Sequence, residues 1–243
     1  MNKPQELTRL VLLRHGQSVW NQKRRFTGWG DVALSLQGEA EARRAGRLLK
    51  QADFTFDACF CSELRRANDT LASVQLEMGL PQLPTYRTWR LNERHYGALE
   101  GMRPWAAVCR FGIWPVLKTQ IGFDTVPPLL TLDDPRAPVN QPRYRAVDRA
   151  QLPLAESMQQ ALERVKPFWE ETVVPEIMQG KRLLIVSHQG LLKLLVMQLE
   201  GLTGAQVMRL SIATARPLCY ELDNALKPVK RYYLSEQNGA QDL

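Results

Sequence analysis

Histidine is scarce in this 243-residue chain, and two of its three copies follow short, wholly apolar runs. Leu10-Val11-Leu12-Leu13 leads into Arg14-His15-Gly16, and Leu183 to Val186 leads into Ser187-His188. Such runs read as strands buried on both faces. In an open parallel sheet, the carboxyl ends of the strands and the N-termini of the following helices share one edge, where anionic ligands bind. The two imidazoles are therefore expected at one site.

Arginines gather around the first of them. Arg14 adjoins it, Arg24 and Arg25 flank the loop that follows, and Arg65 and Arg66 open the helix after the second strand. A guanidinium is planar, permanently charged and matched to phosphate oxygens. In a first helical turn it opposes the macrodipole unless an anion lies nearby. Gly16 is read as permitting close backbone approach to that anion. Neighbouring cations depress an imidazole pKa and keep its lone pair free at neutral pH. The combination suits phosphoryl transfer in which the protein's own cations spread the charge and histidine is the nucleophile. Signatures of other chemistries are missing: there is no HExxH, no clustered Cys/His, no GxxxxGK[ST] and no post-strand GxGxxG. Asp133-Asp134 reads as part of a solvated loop.

The elements that position these residues alternate along the chain. Ser35 caps a helix to about Lys50, and residues 57–61 form a second strand. Ser62 caps a helix that Gly79 ends, and a long helix covers about Glu156 to Met178 with a break near Pro167 or Pro175. Leu191 to Leu199 is helical, and Leu218 to Leu222 and Val229 to Leu234 are late strands. Apolar strands alternating with helices give an α/β fold: three layers, a mainly parallel central sheet and helices on both faces. A single domain is expected over residues 1–243, with an irregular Pro-rich insertion around 104–154, most marked from Asp124 to Arg143, and a flexible tail at 236–243.

Composition narrows the classes. With 44% hydrophobic and 23% charged residues, disordered, collagen-like and low-complexity chains are excluded. A net charge of +7 favours acidic partners. No run of five or six Lys/Arg, aromatic–basic RNA motif or recognition helix is apparent, so a nucleic-acid module is the weaker reading and a small multiply charged molecule the stronger. The first apolar run is too short for a signal peptide, and no stretch reaches the roughly 18 apolar residues of a membrane span. A cytoplasmic protein is expected. Cys59, Cys61, Cys109 and Cys219 lack CxxC spacing and read as free thiols, with Cys59 and Cys61 on one strand face.

Leu12-Leu13-Arg14-His15-Gly16-Gln17-Ser18 is similar to the histidine phosphatase superfamily. Four further segments, in order, resemble its 2,3-bisphosphoglycerate-dependent phosphoglycerate mutases: Trp20-Asn21, Arg25-Phe26-Thr27-Gly28-Trp29, Leu91 to Leu99, and Lys227 to Leu234. The resemblance runs from about Leu7 to Leu234. It implies a phosphoglycerate mutase-like fold, with His15 as the nucleophile that becomes phosphohistidine and Glu93 as general acid and base. Arg14, Arg66 and His188 would form the phosphoryl pocket, with Asn21 touching the same group. Thr27, Gly28 and Tyr96 would hold the phosphoglycerate body, and Arg94, Arg103, Gln189 and Gly190 complete the implied binding set. His95 reads as structural. The implied enzyme is an isomerase of glycolysis and gluconeogenesis interconverting 3-phosphoglycerate and 2-phosphoglycerate. It would be primed by 2,3-bisphosphoglycerate and homodimeric, with no metal and no nucleic-acid or membrane partner.

Three positions depart from the family pattern. Pro104 stands where the family has lysine, Gln120-Ile121 where it has an arginine pair, and Gln189-Gly190 where it has Gly-Asn. The first two remove cations expected to hold the substrate carboxylate and its distal phosphate. The transfer site is better preserved than the grip on a glycerate. An alternative follows: a phosphohistidine-type phosphatase of another small phosphorylated substrate, or a weakly active mutase-like protein. Arg103, Arg110 and Lys118 are the nearby cations available as replacements.

Overall fold

The apolar runs form the middle of one sheet. A computed structural model, describing residues 7–235 and 241–242, places the strands β1 (Thr8–Arg14), β2 (Ala58–Ser62), β3 (Thr85–Thr88), β4 (Leu183–Ser187), β5 (Leu218–Leu222), β6 (Pro228–Tyr233) and β7 (Gln241–Asp242) in the order β3-β2-β4-β1-β5-β6-β7. The helices are α1 (Val19–Gln22), α2 (Leu36–Gln51), α3 (Arg65–Met78), α4 (Pro104–Phe111), α5 (Ile113–Ile121), α6 (Met158–Phe168), α7 (Val174–Met178), α8 (Gln189–Glu200) and α9 (Gly204–Arg209). β3, β2, β4 and β1 pair in parallel; β5, β6 and β7 extend the sheet antiparallel. The parallel part is the part that carries the histidines.

Alternation along each central strand feeds two cores. Leu10, Leu12, Phe60, Leu183 and Ile185 pack with residues of α6 and α8, while Val11, Leu13, Cys59, Cys61, Leu184 and Val186 pack with residues of α2 and α3. Each fully buried aliphatic side chain contributes roughly 1.5–3 kcal/mol, so the strands are fixed from both sides.

Several expectations need correction. Residues 104–121 are not irregular. They form α4 and α5, because Pro104 sits in the first turn, where its missing N–H costs nothing, and Pro115 lies close to the start of α5. Irregular chain begins after Gly122 and is held in short 3-10 turns at Pro138–Asn140, Pro142–Tyr144 and Arg149–Gln151. The long helix breaks as a π-helical turn, Trp169–Val173, between α6 and α7, just after Pro167 has removed a donor from the ladder. Ser62 ends β2 instead of capping α3, whose N-cap is Leu64 with no side-chain bond. In the expected tail, residues 241–242 pair with β6, and the rest of that tail lies outside the described residues. No helix among the described residues is long and apolar enough to cross a membrane.

The loop after β1 is pinned against the start of α2, which Ser35 caps by accepting from the Gly38 N–H at 3.1 Å. A Cβ on Gly38 would lie 2.0 Å from the Gln17 carbonyl oxygen, and one on Gly16 would lie 2.2 Å from the Gly38 oxygen. Gly16 is thus required by helix packing, not by an approaching anion as expected. Because both obstacles are backbone, no rotamer change relieves them. Overpacking there costs about 3 kcal/mol, which outweighs the about 1 kcal/mol of helix propensity gained on replacing glycine. Gly38→Ala is expected to lower stability by about 2 kcal/mol in urea unfolding, and an unchanged or higher midpoint would contradict this packing account.

Candidate active site

Parallel pairing of β1 with β4 sets Arg14 opposite Ser187, so both chains leave the sheet together. The His15 N–H bonds to the Ser187 carbonyl at 2.9 Å, and the His15 and His188 rings lie 5.0 Å apart. Both are buried. His15 Nδ1 lies 2.6 Å from the Gly16 carbonyl oxygen, which can only accept. That contact places the proton on Nδ1 and leaves the Nε2 lone pair free.

Arg66 aims at that lone pair, donating from Nε to His15 Nε2 at 3.2 Å. Two of its other four N–H donors are fixed: Nη1 to the Gly30 carbonyl at 2.8 Å and Nη2 to the Gly28 carbonyl at 2.7 Å. Burial pushes its pKa down to about 10, which still leaves it charged at neutral pH. Arg14 donates from Nη1 to Gln189 Oε1 and to the Ile212 carbonyl, while its buried Nε has no partner among the described residues. Gln189, one of the departures, therefore orients an arginine of the transfer site.

His188 is held by a buried relay. Its Nε2 lies 2.8 Å from Ser62 Oγ, Ser62 Oγ donates to Asn92 Oδ1 at 2.8 Å, and Asn92 Nδ2 donates to the Tyr144 hydroxyl at 2.9 Å. Since the one Ser62 proton goes to Asn92, His188 Nε2 must be the donor to Ser62. Its Nδ1 is left buried and without a partner among the described residues. Burial first, and then the charges of Arg66 and Arg14, hold both site imidazoles well below their ordinary pKa.

Glu93 approaches from the other side. Its Oε1 accepts from the Arg94 N–H at 2.9 Å and its Oε2 from the Gly190 N–H at 3.1 Å, in the first turn of α8. A Cβ at Gly190 would stand 2.3 Å from Glu93 Oε1, so a side chain there would force the carboxylate to shift from this position. Glu100 Oε1 joins the two loops that border the pocket by accepting from the Trp29 N–H at 2.7 Å and the Tyr96 N–H at 3.3 Å. Burial pushes the Glu100 carboxyl up to about 8.

A cavity of about 310 Å³ has a wall that includes Arg14, His15, Asn21, Thr27, Gly28, Arg66, Glu93, Tyr96 and Gln189, with His188 and Gly190 behind it and not part of its lining. The departures Pro104 and Gln120 also line it. A larger recess of about 880 Å³, lined by Asp57 and Arg182, contains no histidine; chemistry, not volume, locates the site. Some expected residues stand apart. Arg94 is buried with its guanidinium 4.5 Å from the centre of the Tyr96 ring and Nη1 donating to the Thr119 carbonyl. Arg103 lines a neighbouring recess with Met102 and Trp105. Arg65 is exposed, bonded to Asp31 and Asp69. His95 is buried, accepts from the Gly97 N–H at 2.9 Å and packs on Trp29. Sequence reasoning missed the Ser62–Asn92–Tyr144 relay. The signal for Asn92 was its place beside Glu93; Tyr144 gave none.

The buried groups set a pH profile. His15, His188 and His95 (the last pushed down to about 3, chiefly by burial) are neutral in the folded chain. Below the ordinary value of 6.5 the unfolded chain binds their protons first, and stability falls. Glu100 acts oppositely: between its ordinary 4.5 and about 8, only the folded chain keeps that proton, so stability falls as pH rises. Below 6.5 three imidazoles outweigh one carboxyl. The urea midpoint is expected to peak near pH 6.5, falling more steeply on the acid side, and Glu100→Gln should flatten the alkaline side. A level profile between about pH 5 and 8 would contradict these assignments.

Residues 10–127 and 133–233 match the histidine phosphatase superfamily (branch 1). The chain is 78% identical over 234 residues, 96% of its length and all of the relative's, to the 2,3-bisphosphoglycerate-dependent phosphoglycerate mutase 1 of Nitrosomonas europaea. In fold it is similar to the alpha-ribazole phosphatase of Shigella flexneri (TM-score 0.65, 24% identity, 88% of this chain and 91% of that one). It is also similar to a mycobacterial glucosyl-3-phosphoglycerate phosphatase (TM-score 0.67, 22% identity, 93% and 97%). By sequence match, relative and site, the chain belongs to the histidine phosphatase superfamily, within its 2,3-bisphosphoglycerate-dependent phosphoglycerate mutases.

Proposed function

We propose that this chain interconverts 3-phosphoglycerate and 2-phosphoglycerate through a phosphohistidine at His15. The observation that carries the reading is the His15 ring itself: Nδ1 fixed on the Gly16 carbonyl, Nε2 facing Arg66, and a second neutral imidazole 5.0 Å away. The 78% identity to a named mutase supports the same reaction.

His15 Nε2 attacks phosphorus, the phosphorus–oxygen bond breaks, and Glu93 delivers the proton that the departing oxygen requires. With His15 loaded, Glu93 takes the proton of the free 3-phosphoglycerate hydroxyl as that oxygen attacks phosphorus and the nitrogen–phosphorus bond breaks, leaving 2,3-bisphosphoglycerate bound beside a free His15. Arg66 and the Arg14 Nε, which has no partner among the described residues, supply donors for the phosphoryl oxygens. His188 Nδ1 has a lone pair and no partner among the described residues, so an anion beside it favours uptake of a proton there, which converts it into a third donor. Between the halves the pocket must let the bound bisphosphoglycerate reverse without releasing it, so that His15 takes back the other phosphoryl group and 2-phosphoglycerate leaves. 2,3-bisphosphoglycerate supplies the phosphoryl group that first loads His15. These cations belong to the protein, and the reaction needs no metal on this reading. A homodimer in the cytoplasm, serving glycolysis and gluconeogenesis, is the setting it implies.

The alternative, a phosphatase or weakly active form, rests on the neutral wall at Pro104 and Gln120. The high identity to a mutase makes it the weaker reading. A side-by-side assay separates them: enolase-coupled turnover of 3-phosphoglycerate against release of inorganic phosphate. Mutase turnover should dominate, and dominant phosphate release would reverse the assignment. Incubation with 2,3-bisphosphoglycerate should add one acid-labile phosphate to the intact mass, absent in His15→Ala. Glu93→Gln should lower turnover about a hundredfold, as expected for loss of a general acid–base group, while His15 still takes the label. An unlabelled wild type would rule out the covalent route.

A further inference from the structure

A phosphoglycerate carries a carboxylate as well as its phosphate, and the pocket wall must answer both. Arg14 and Arg66 are committed to the transfer end by their bonds around His15 and Gln189. Beyond them, Phe26, Pro104 and Gln120 are uncharged, and the wall's other cations are two more arginines, Arg24 and Arg25. Arg25 is tied down, donating from Nη1 to the Gly101 carbonyl at 2.7 Å.

Arg24 differs in two ways. Its backbone is left-handed (φ +52°), a conformation side chains rarely adopt, where its N–H closes the turn after α1 on the Asn21 carbonyl at 3.0 Å. Its exposed guanidinium donates no hydrogen bond to any described residue and forms no ion pair with one, although it borders the cavity that Glu93 and Tyr96 also line. A charged fork held at the rim by an unusual turn, with its donors free, is a site awaiting a planar anion.

We infer that Arg24 is a specificity-determining residue, whose guanidinium holds the carboxylate of the phosphoglycerate while Arg14 and Arg66 hold the phosphoryl group. The inference rests on the mutase reading above. It moves the second anion site away from Arg103, Arg110 and Lys118, none of which lines the His15 cavity.

The test compares two ligands that differ at one group: 3-phosphoglycerate and glycerol 3-phosphate, which has a hydroxymethyl in place of the carboxylate. Binding of each is measured by titration calorimetry for the wild type, Arg24→Ala and Arg24→Lys, alongside wild-type mutase turnover. Arg24→Ala should weaken 3-phosphoglycerate about tenfold or more and glycerol 3-phosphate by less than about twofold, with Arg24→Lys recovering part of the loss. Equal weakening of both ligands, or of neither, in an enzyme that turns over 3-phosphoglycerate would overturn the Arg24 assignment alone. A wild type inert toward 3-phosphoglycerate and indifferent between the ligands would overturn the mutase reading and this inference with it.

Discussion

Burying the Arg66 guanidinium is the constraint around which the site is arranged. A cation almost wholly removed from water is tolerated only when its donors are met. Two of them are met by the Gly28 and Gly30 carbonyls, which fixes the loop that borders the pocket. The third points at His15 Nε2, so the histidine must stay neutral to accept it. The neutrality of the nucleophile and the placement of the cation are thus one requirement. An incoming phosphoryl group competes for a donor that is already oriented, with little reorganisation left to make.

The second imidazole and the carboxylate are held by a similar economy. Ser62 has one proton and gives it to Asn92, which settles the direction of the relay and leaves His188 with a bare Nδ1. Glu93 receives backbone N–H groups from Arg94 and from the first turn of α8, a placement that only a glycine at 190 permits. Glu100 joins the bordering loops from behind. Each group that touches the reaction is backed by one that does not.

Much of this was legible from the chain. Apolar strands running into Arg14-His15 and Ser187-His188 could end only at one edge of a parallel sheet, and the ring contact follows from that topology. Arg66 was legible from its position in a first turn where a lone cation is unfavourable. What was not legible depends on contacts distant in sequence. Ser62 looks like a helix cap because capping is a local preference, yet its hydroxyl is taken by residues 30 and 126 positions away. Gly16 looks like an anion cradle, but the backbone of α2 is what excludes a Cβ there. The stretch around 104–154 reads as irregular because proline content says nothing about where each ring falls, and Pro104 and Pro115 fall in the first turns of α4 and α5. Arg24 drew notice only as one of several cations, since its left-handed backbone and free donors are properties of the folded chain.

The paired β1 and β4 are apolar on both faces, and this changes how alignment is encoded. In a half-exposed strand, slippage by one position throws hydrocarbon into solvent; here it merely exchanges one oily layer for the other. Alignment information must therefore reside at the strand tips. For β1 and β4 it lies in the His15 N–H on the Ser187 carbonyl, and for the neighbouring pair β2 and β4, at the opposite tip, in the Asp57 carboxylate gripping the Arg182 backbone and guanidinium. The same few positions both perform chemistry and tell neighbouring segments where to stop. At the catalytic tip the stop is written in backbone groups, the His15 N–H and the Ser187 carbonyl, so the nucleophile's place along the chain and the threading of the molecule's middle are one and the same setting.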